Sequence, residues 1–178
     1  MRKSTQVAIA GVASSLCLLM MFLTGLIPFS TYCFPAFAGI VLIAVAEENG
    51  PRTAVMVYVA TSVLSLFIVP DREAVMLFIM LLGYYPTLKP YIERLGRLGG
   101  TVVKAALFNG TVIAFYYVML FVFGVPDLLE GWGDFGRFTV VVALGLVNFT
   151  LFTYDFLLTE TLRIYRYWFR PKILHKLF

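Results

Sequence analysis

Four polar side chains lie inside long apolar segments of the sequence, where a membrane would make them costly. Asn148 and Asp155 belong to the last apolar segment, and their spacing places them on one helical face. Lys89 and Asn109 come from two earlier segments. A rise of about 1.5 Å per helical residue puts Lys89, Asn109 and Asp155 at a similar depth in the inner leaflet. We therefore predict an inner polar cluster of these three residues, with a Lys89–Asp155 ion pair as its core.

The sequence leaves three roles open for this inner polar cluster. Its members could join neighbouring helices, with the lysine extending its ammonium group toward the cytoplasmic surface. A membrane-embedded acid beside a lysine could instead form a coupling or proton-sensitive site. Ligand contact is the third role. No catalytic residue, metal site or cofactor is expected, because His175 is the single histidine and the two cysteines have no metal-ligand spacing.

Aromatic and polar residues between the membrane midplane and the outer surface form a second candidate set. Tyrosine and tryptophan faces could stack on a planar ligand, while Asn148 donates a hydrogen bond and Arg137 meets an anionic group. A simpler interpretation stays open, since Tyr and Trp are enriched at every membrane interface and Asp71 could merely cap the helix that follows it. The candidate substrate-binding residues are Tyr32, Tyr84, Tyr116, Trp132, Arg137 and Asn148.

The elements that carry these residues are predicted to be membrane-spanning helices. The chain has 178 residues, of which 61% are hydrophobic and 13% charged, and its mean hydropathy is +0.90. Soluble domains have about 25% charged residues, so we do not expect a cytosolic enzyme, a disordered regulator or a secreted disulfide scaffold. A span needs about 20 apolar residues. The sequence predicts one transmembrane domain with spans at about 7–27, 34–46, 53–69, 74–91, 102–123 and 138–162, followed by a basic cytoplasmic tail, 163–178.

The basic residues predict the orientation of these spans. Of the 14 lysines and arginines, all except Arg72 and Arg137 fall on the side of the N-terminus. Cytoplasmic loops carry such an excess of positive charge. We therefore expect an all-α integral membrane protein, with six transmembrane helices in one bundle and both termini in the cytoplasm. This distribution also favours membrane lipids over nucleic acid as the partner of the net charge of +4.

The first predicted span carries a stripe of small residues. Ala10, Gly11 and Ser14 lie close together on the helix, and small side chains let another helix approach closely. The stripe could serve packing within the bundle or docking to a separate membrane subunit. The sequence favours neither use.

Together, these features resemble the substrate-binding S component of energy-coupling factor transporters. The resemblance covers the length and topology of nearly the whole chain, and locally the motif Ala10-x-x-x-Ser14, the loop Pro28–Cys33 and the segment Glu48–Arg52. It implies that the first helix contacts a transmembrane coupling subunit, that separate ATPase subunits supply energy, and that the ligand site opens outward. The implied function is uptake of a small vitamin-like molecule across a bacterial plasma membrane.

One alternative from another functional class stays open: a non-transporting scaffold of the bacterial cell envelope, similar to the MreD-type membrane proteins. Such a scaffold would share the size and the packing stripes but would have no ligand cavity. An intramembrane enzyme is not expected, because Asp155 has no second acid at membrane depth, and Glu160 approaches the cytoplasmic boundary.

Overall fold

The computed structural model describes residues 3–27, 30–121 and 139–168, of which 90% are helical. No strand occurs within these ranges. The helices are α1 (Lys3–Leu23), α2 (Cys33–Asn49), α3 (Pro51–Ile68), α4 (Arg72–Leu77), a π-helix (Phe78–Leu82), α5 (Tyr85–Glu93), α6 (Gly96–Phe121) and α7 (Thr139–Ile164).

Within the described ranges, four helical stretches are long and apolar enough to cross a membrane. They are Ser4–Leu23, Pro51–Ile68, Arg72–Glu93 and Gly96–Phe121. The predicted all-helical membrane protein is thereby confirmed. Helix α2 has 17 residues and rises about 25 Å, slightly less than the hydrocarbon thickness of roughly 30 Å. The total of six spans and the cytoplasmic location of both termini stay predictions.

The helices begin and end at somewhat different residues from the predicted spans. Helix α1 ends at Leu23, four residues before the predicted end at Ile27. Just after this end, Gly25 lies directly against the ring of Pro70, where a Cβ atom would not fit. Helix α6 begins at Gly96, six residues before the predicted start at residue 102. This earlier start places Lys104 well inside the helix.

The chain divides into two compact units, with residues 1–90 and 156–178 in unit 1 and residues 91–155 in unit 2. The expectation of a single transmembrane domain stays a prediction. In unit 1, α1, α2 and α3 pack on one another, and α2 and α3 also contact α4. Helix α1 buries a stripe with four-residue spacing, and its partners include small residues that allow close packing. Core residues of unit 1 include Ala13, Cys17, Met21, Ala38, Leu42, Val45, Ala54, Val57 and Phe78.

The turn between α2 and α3 anchors two other parts of unit 1. Gly50 adopts φ 88°, a left-handed conformation that favours glycine. The Asn49 amide donates a hydrogen bond of 3.0 Å to the Gln6 carbonyl near the start of α1. Glu47 accepts two hydrogen bonds from the Arg166 guanidinium, 2.6 and 2.9 Å long, just beyond α7. The predicted tail from residue 163 therefore begins as helix, and residues 165–168 continue as π-helix.

In unit 2, α6 and the first part of α7 pack in antiparallel orientation. Phe108 and Phe152 meet edge to face, with ring centroids 5.5 Å apart. On either side of this aromatic pair, polar residues of α6 face polar residues of α7. The same face of each helix thus carries both the apolar and the polar contacts of unit 2.

Candidate functional site

A row of hydroxyl groups lies on the buried face of α3 in unit 1. Thr61, Ser62 and Ser65 are all buried, and they follow Ala54 and Val57 along this face with the spacing of a helical stripe. The Ser65 hydroxyl donates to the Ser62 carbonyl at 2.9 Å. Membrane helices commonly place such small polar residues where another helix or a ligand approaches closely.

Thr61 differs from most hydroxyl residues of the described helices. Its side chain is fully buried, with 0% exposure, and the hydroxyl oxygen has no hydrogen-bond partner. By contrast, the hydroxyls of Thr53, Thr101 and Thr153 each donate to the carbonyl four residues earlier. A buried unpaired hydroxyl costs about 1–3 kcal/mol, so it usually marks a place where a water or a ligand completes the hydrogen bonding.

A tyrosine one helical turn from Thr61 connects α3 to the π-helix. The Tyr58 hydroxyl donates to the Ile79 carbonyl at 2.6 Å. This carbonyl lies in the five-residue π-helix, which is closed by a hydrogen bond of 2.8 Å from the Gly83 N–H to the Phe78 carbonyl. The Tyr58 ring lies against Gly83, where a Cβ atom would come within 2.7 Å of it. Short π-helical segments occur frequently at functional sites.

Tyr84, a predicted substrate-binding residue, lies directly beside this tyrosine. The rings of Tyr58 and Tyr84 meet edge to face with centroids 6.2 Å apart, and Phe78 contacts Tyr58 at 5.8 Å. We call Tyr58, Thr61, Ser62 and Tyr84 the hydroxyl–aromatic face. Its groups are all uncharged, and they combine ring surfaces with hydrogen-bonding hydroxyls. This combination suits a small, neutral, partly planar molecule.

Two short loops of unit 1 come together near Tyr32. Burial, and next the carboxylates of Glu73 and Asp71, raise the pKa of the Tyr32 hydroxyl above its ordinary value. Tyr32 therefore lies close to the N-terminus of α4. Asp71 caps that helix by accepting a hydrogen bond of 3.0 Å from the Ala74 N–H, which confirms its simpler predicted use.

Four further residues were predicted to bind substrate. Tyr116 and Asn148 belong to unit 2, and Trp132 and Arg137 lie outside the described residues. Tyr116 contacts the ring of Tyr117 at 6.0 Å. The amide of Asn148 is occupied by helix–helix contacts, so a ligand would have to displace these before binding to it. The predicted role of these residues in substrate binding stays a prediction.

Unit 2 contains two sets of polar contacts between α6 and α7, which we call the α6–α7 polar pairs. Lys104 donates to Asp155 at 2.7 Å and to Glu93 at 3.3 Å. The Lys104 and Asp155 side chains are only 11% and 15% exposed. Farther along α6, Asn109 and Asn148 exchange two hydrogen bonds of 3.0 and 3.1 Å through their side-chain amides. These contacts join the two helices at two levels.

The α6–α7 polar pairs include Lys104, which the sequence used only as one of the basic residues that predict the cytoplasmic side. Asp155 and Asn109 were both predicted in the inner polar cluster, but the structure gives Asp155 a lysine partner from α6, Lys104. Because α6 starts at Gly96, Lys104 lies about 12 Å inside the helix. The four-residue step from Lys104 to Phe108 could have indicated its face. Lys89 is buried in unit 1, and its pairing with Asp155 stays a prediction.

Some of the small residues of α1 face the core of unit 1, and others face open space. Ala10 packs against the core of unit 1, whereas a Cβ atom on Gly11 would meet nothing within 4 Å. The Ser14 and Ser15 hydroxyls donate to the carbonyls of Ala10 and Gly11, at 2.9 and 3.0 Å. The stripe therefore has an inward part and an open part, and its hydroxyls are already satisfied.

Comparisons of the chain with protein-family models, curated proteins and solved structures gave no match.

Proposed function

We propose that this chain is a membrane-embedded substrate-binding subunit for uptake of a small vitamin-like molecule. In this proposal it is an S component of an energy-coupling factor transporter, with six spans and both termini in the cytoplasm of a bacterial cell. Separate coupling and ATPase subunits would supply energy. The hydroxyl–aromatic face is the observation that carries the proposal, because it combines a fully buried, unpaired Thr61 hydroxyl with the paired rings of Tyr58 and Tyr84.

The chemistry of this face defines how a ligand would be held. Thr61 would accept or donate one hydrogen bond, and burial would make that bond stronger than an exposed one. Tyr84 would contact a ring of the ligand edge to face or by stacking. The π-helix beside Tyr58 supports the proposal as well. Such segments are rare in proteins and are found frequently at functional sites.

The open part of the α1 stripe supports the proposed coupling subunit. Gly11 faces outward with free space above it, and Ser15 is exposed with its hydroxyl already hydrogen-bonded. A second membrane helix could approach this surface closely without leaving a polar group unsatisfied. The proposed docking residues are Ala10, Gly11 and Ser14.

The first test is native mass spectrometry of the purified protein in lipid nanodiscs. We expect a co-purified small molecule, identified by its released mass, and rebinding of that compound to the emptied protein. Tyr84→Ala and Thr61→Val should each weaken rebinding at least tenfold. Thr153→Val is the matched control, because the Thr153 hydroxyl is exposed and bonds only to its own helix. An empty protein under all conditions would instead favour the envelope scaffold.

The second test concerns the coupling subunit and keeps the ligand site intact. We expect ATPase and coupling subunits to co-purify with the wild-type chain and to be lost with Gly11→Leu. Val12→Leu is the control, since Val12 is exposed on the neighbouring position of α1. Equal recovery of the subunits with both variants would rule out the Gly11 surface as their docking site.

A further inference from the structure

The turn between α5 and α6 exposes an unusual combination of apolar and basic side chains. Leu95 is 60% exposed and Leu98 is 87% exposed. Arg94 and Arg97 lie on the same short segment, and both are exposed. All four belong to unit 2. Exposed leucines beside free arginines are poorly suited to water alone, but they fit a bilayer surface, where acyl chains and charged headgroups meet.

The spacing of these side chains places the apolar ones and the basic ones in separate columns. Leu98 and Val102 are four residues apart on α6, so they form an apolar column along the helix. Arg94 and Arg97 are three residues apart across the turn, and they form a basic column beside it. Gly96 and Gly99 leave the surface between the columns free of side chains. A Cβ atom on Gly99 would approach only Leu95, at 3.5 Å.

The guanidinium of Arg94 is held in place by an aromatic ring. It lies 5.3 Å from the centroid of Tyr91, a half-exposed residue at the end of α5. Among the described residues, neither Arg94 nor Arg97 forms an ion pair. The nearby acid, Glu93, already accepts a hydrogen bond from Lys104. The two guanidinium groups therefore keep their charge available for an external anion.

The position of the turn indicates which kind of molecule would carry this anionic group. The two helical stretches that flank it, Arg72–Glu93 and Gly96–Phe121, are both long and apolar enough to cross a membrane. With both stretches across the membrane, residues 94–98 would lie at the boundary of the bilayer, within about 5 Å of the start of α6 along its axis. At this depth, the abundant anionic group with an apolar extension is a phospholipid headgroup.

We propose that the turn between α5 and α6 binds one anionic phospholipid, with Arg94 and Arg97 on its phosphate and Leu95, Leu98 and Val102 along its acyl chains. This site is independent of the hydroxyl–aromatic face and of the proposed uptake function. Planar guanidinium groups form paired hydrogen bonds with phosphate oxygens, which gives them an advantage over lysine at such a site.

The test uses the full-length protein in nanodiscs of mixed phosphatidylglycerol and phosphatidylcholine. Native mass spectrometry then counts the lipids that stay bound after the nanodisc is released. We expect one retained phosphatidylglycerol in the wild-type protein. Arg94→Gln and Arg97→Gln should each lower its apparent affinity about fivefold, and the double variant should lower it further. Leu98→Ser should weaken retention without changing the preference for phosphatidylglycerol.

Two controls separate this site from general attraction to a charged surface. Arg52→Gln removes an exposed arginine at the start of α3 and should leave retention unchanged. Inorganic phosphate at millimolar concentration should not displace the lipid, because it makes no acyl-chain contact. Retention by the Arg94→Gln/Arg97→Gln protein equal to that of the wild type would overturn the proposal. So would equal losses with Arg52→Gln, or displacement by phosphate.

Discussion

The hydroxyl–aromatic face of unit 1 and the α6–α7 polar pairs of unit 2 both place polar groups inside apolar helices, but they satisfy them differently. In unit 2, Lys104 contacts two carboxylates, and Asn109 and Asn148 bond to each other in both directions. In unit 1, the Thr61 hydroxyl is fully buried and has no partner. Bilayer and protein interior both penalise unpaired polar groups, so we expect the two regions to have different uses.

This difference distinguishes polar groups that hold helices together from polar groups that could bind a ligand. Polar groups that bond to each other hold two helices together, and an added ligand would have to break existing bonds before gaining new ones. A hydroxyl that is buried without a partner lowers stability until something binds to it. We therefore expect the α6–α7 polar pairs to act as structural contacts of unit 2, and we propose the hydroxyl–aromatic face as the better candidate for ligand contact.

The largest expected effect comes from breaking the ion pair of unit 2. Lys104→Met should lower the free energy of unfolding by about 3 kcal/mol, because it removes a cation that contacts the largely buried Asp155 carboxylate at 2.7 Å. Steric-trapping measurements in bicelles can determine this value. The double variant Lys104→Met/Asp155→Leu should recover most of the loss. A loss below 1 kcal/mol in the single variant would mean that the pair is not a structural contact.

A smaller loss is expected from the asparagine pair. Asn148→Leu should cost about 1.5 kcal/mol, since it leaves the Asn109 amide with an unfilled donor and acceptor. A double-mutant cycle with Asn109→Leu isolates the coupling between the two amides. Coupling near zero would contradict a structural role for this contact and would make Asn148 available for the predicted ligand hydrogen bond.

In unit 1, the comparison predicts that removing a buried polar group raises the free energy of unfolding instead of lowering it. Thr61→Val keeps the shape of the side chain and removes the unpaired hydroxyl, so it should raise the stability of the empty protein by about 1 kcal/mol. The same unfolding measurement applies. Thr53→Val is the control, because its hydroxyl bonds to the Asn49 carbonyl at 3.1 Å. Destabilisation by Thr61→Val would show that the hydroxyl is satisfied in the empty protein.

The smallest effect is expected at the exposed ion pair of unit 1. Glu47→Gln removes the charge that faces Arg166, yet the Arg166 side chain is 53% exposed. Water and salt screen such pairs, so the loss should be about 0.5 kcal/mol and should shrink at high salt. Thermal unfolding in low-salt and high-salt buffer provides the measurement. A loss as large as that of Lys104→Met would contradict the distinction between buried and exposed pairs.

The sequence anticipated much of the fold and a smaller part of the candidate site. Long apolar segments predicted the helices, and they placed Tyr84, Asn109, Asn148 and Asp155 within them. The sequence placed Lys104 near the start of the fifth predicted span and on the cytoplasmic side, because a lysine near the end of an apolar segment usually marks a membrane boundary. Its contact with Asp155 depends on how α6 and α7 align, which composition does not encode.

Other contacts were equally invisible in the linear pattern. Tyr58 has no distinctive spacing, and its hydroxyl donates to the carbonyl of Ile79, a residue of the π-helix on another segment of the chain. The Arg166–Glu47 contact joins residues more than a hundred positions apart. Such pairs are selected by the packing of helices and not by the order of residues along any one of them.

The sequence by itself determined that this protein is helical and belongs in a membrane, because scarce charge and long apolar segments allow no other way to satisfy the backbone in lipid. Tertiary structure alone decided which polar groups are paired. Lys104 and Asp155 meet across two antiparallel helices, while Thr61 is buried against a face that offers it no partner. This pairing decides whether a buried polar group is expected to stabilise the fold or to bind a ligand. The reason is that the energetic cost of burying the group is set by the atoms around it.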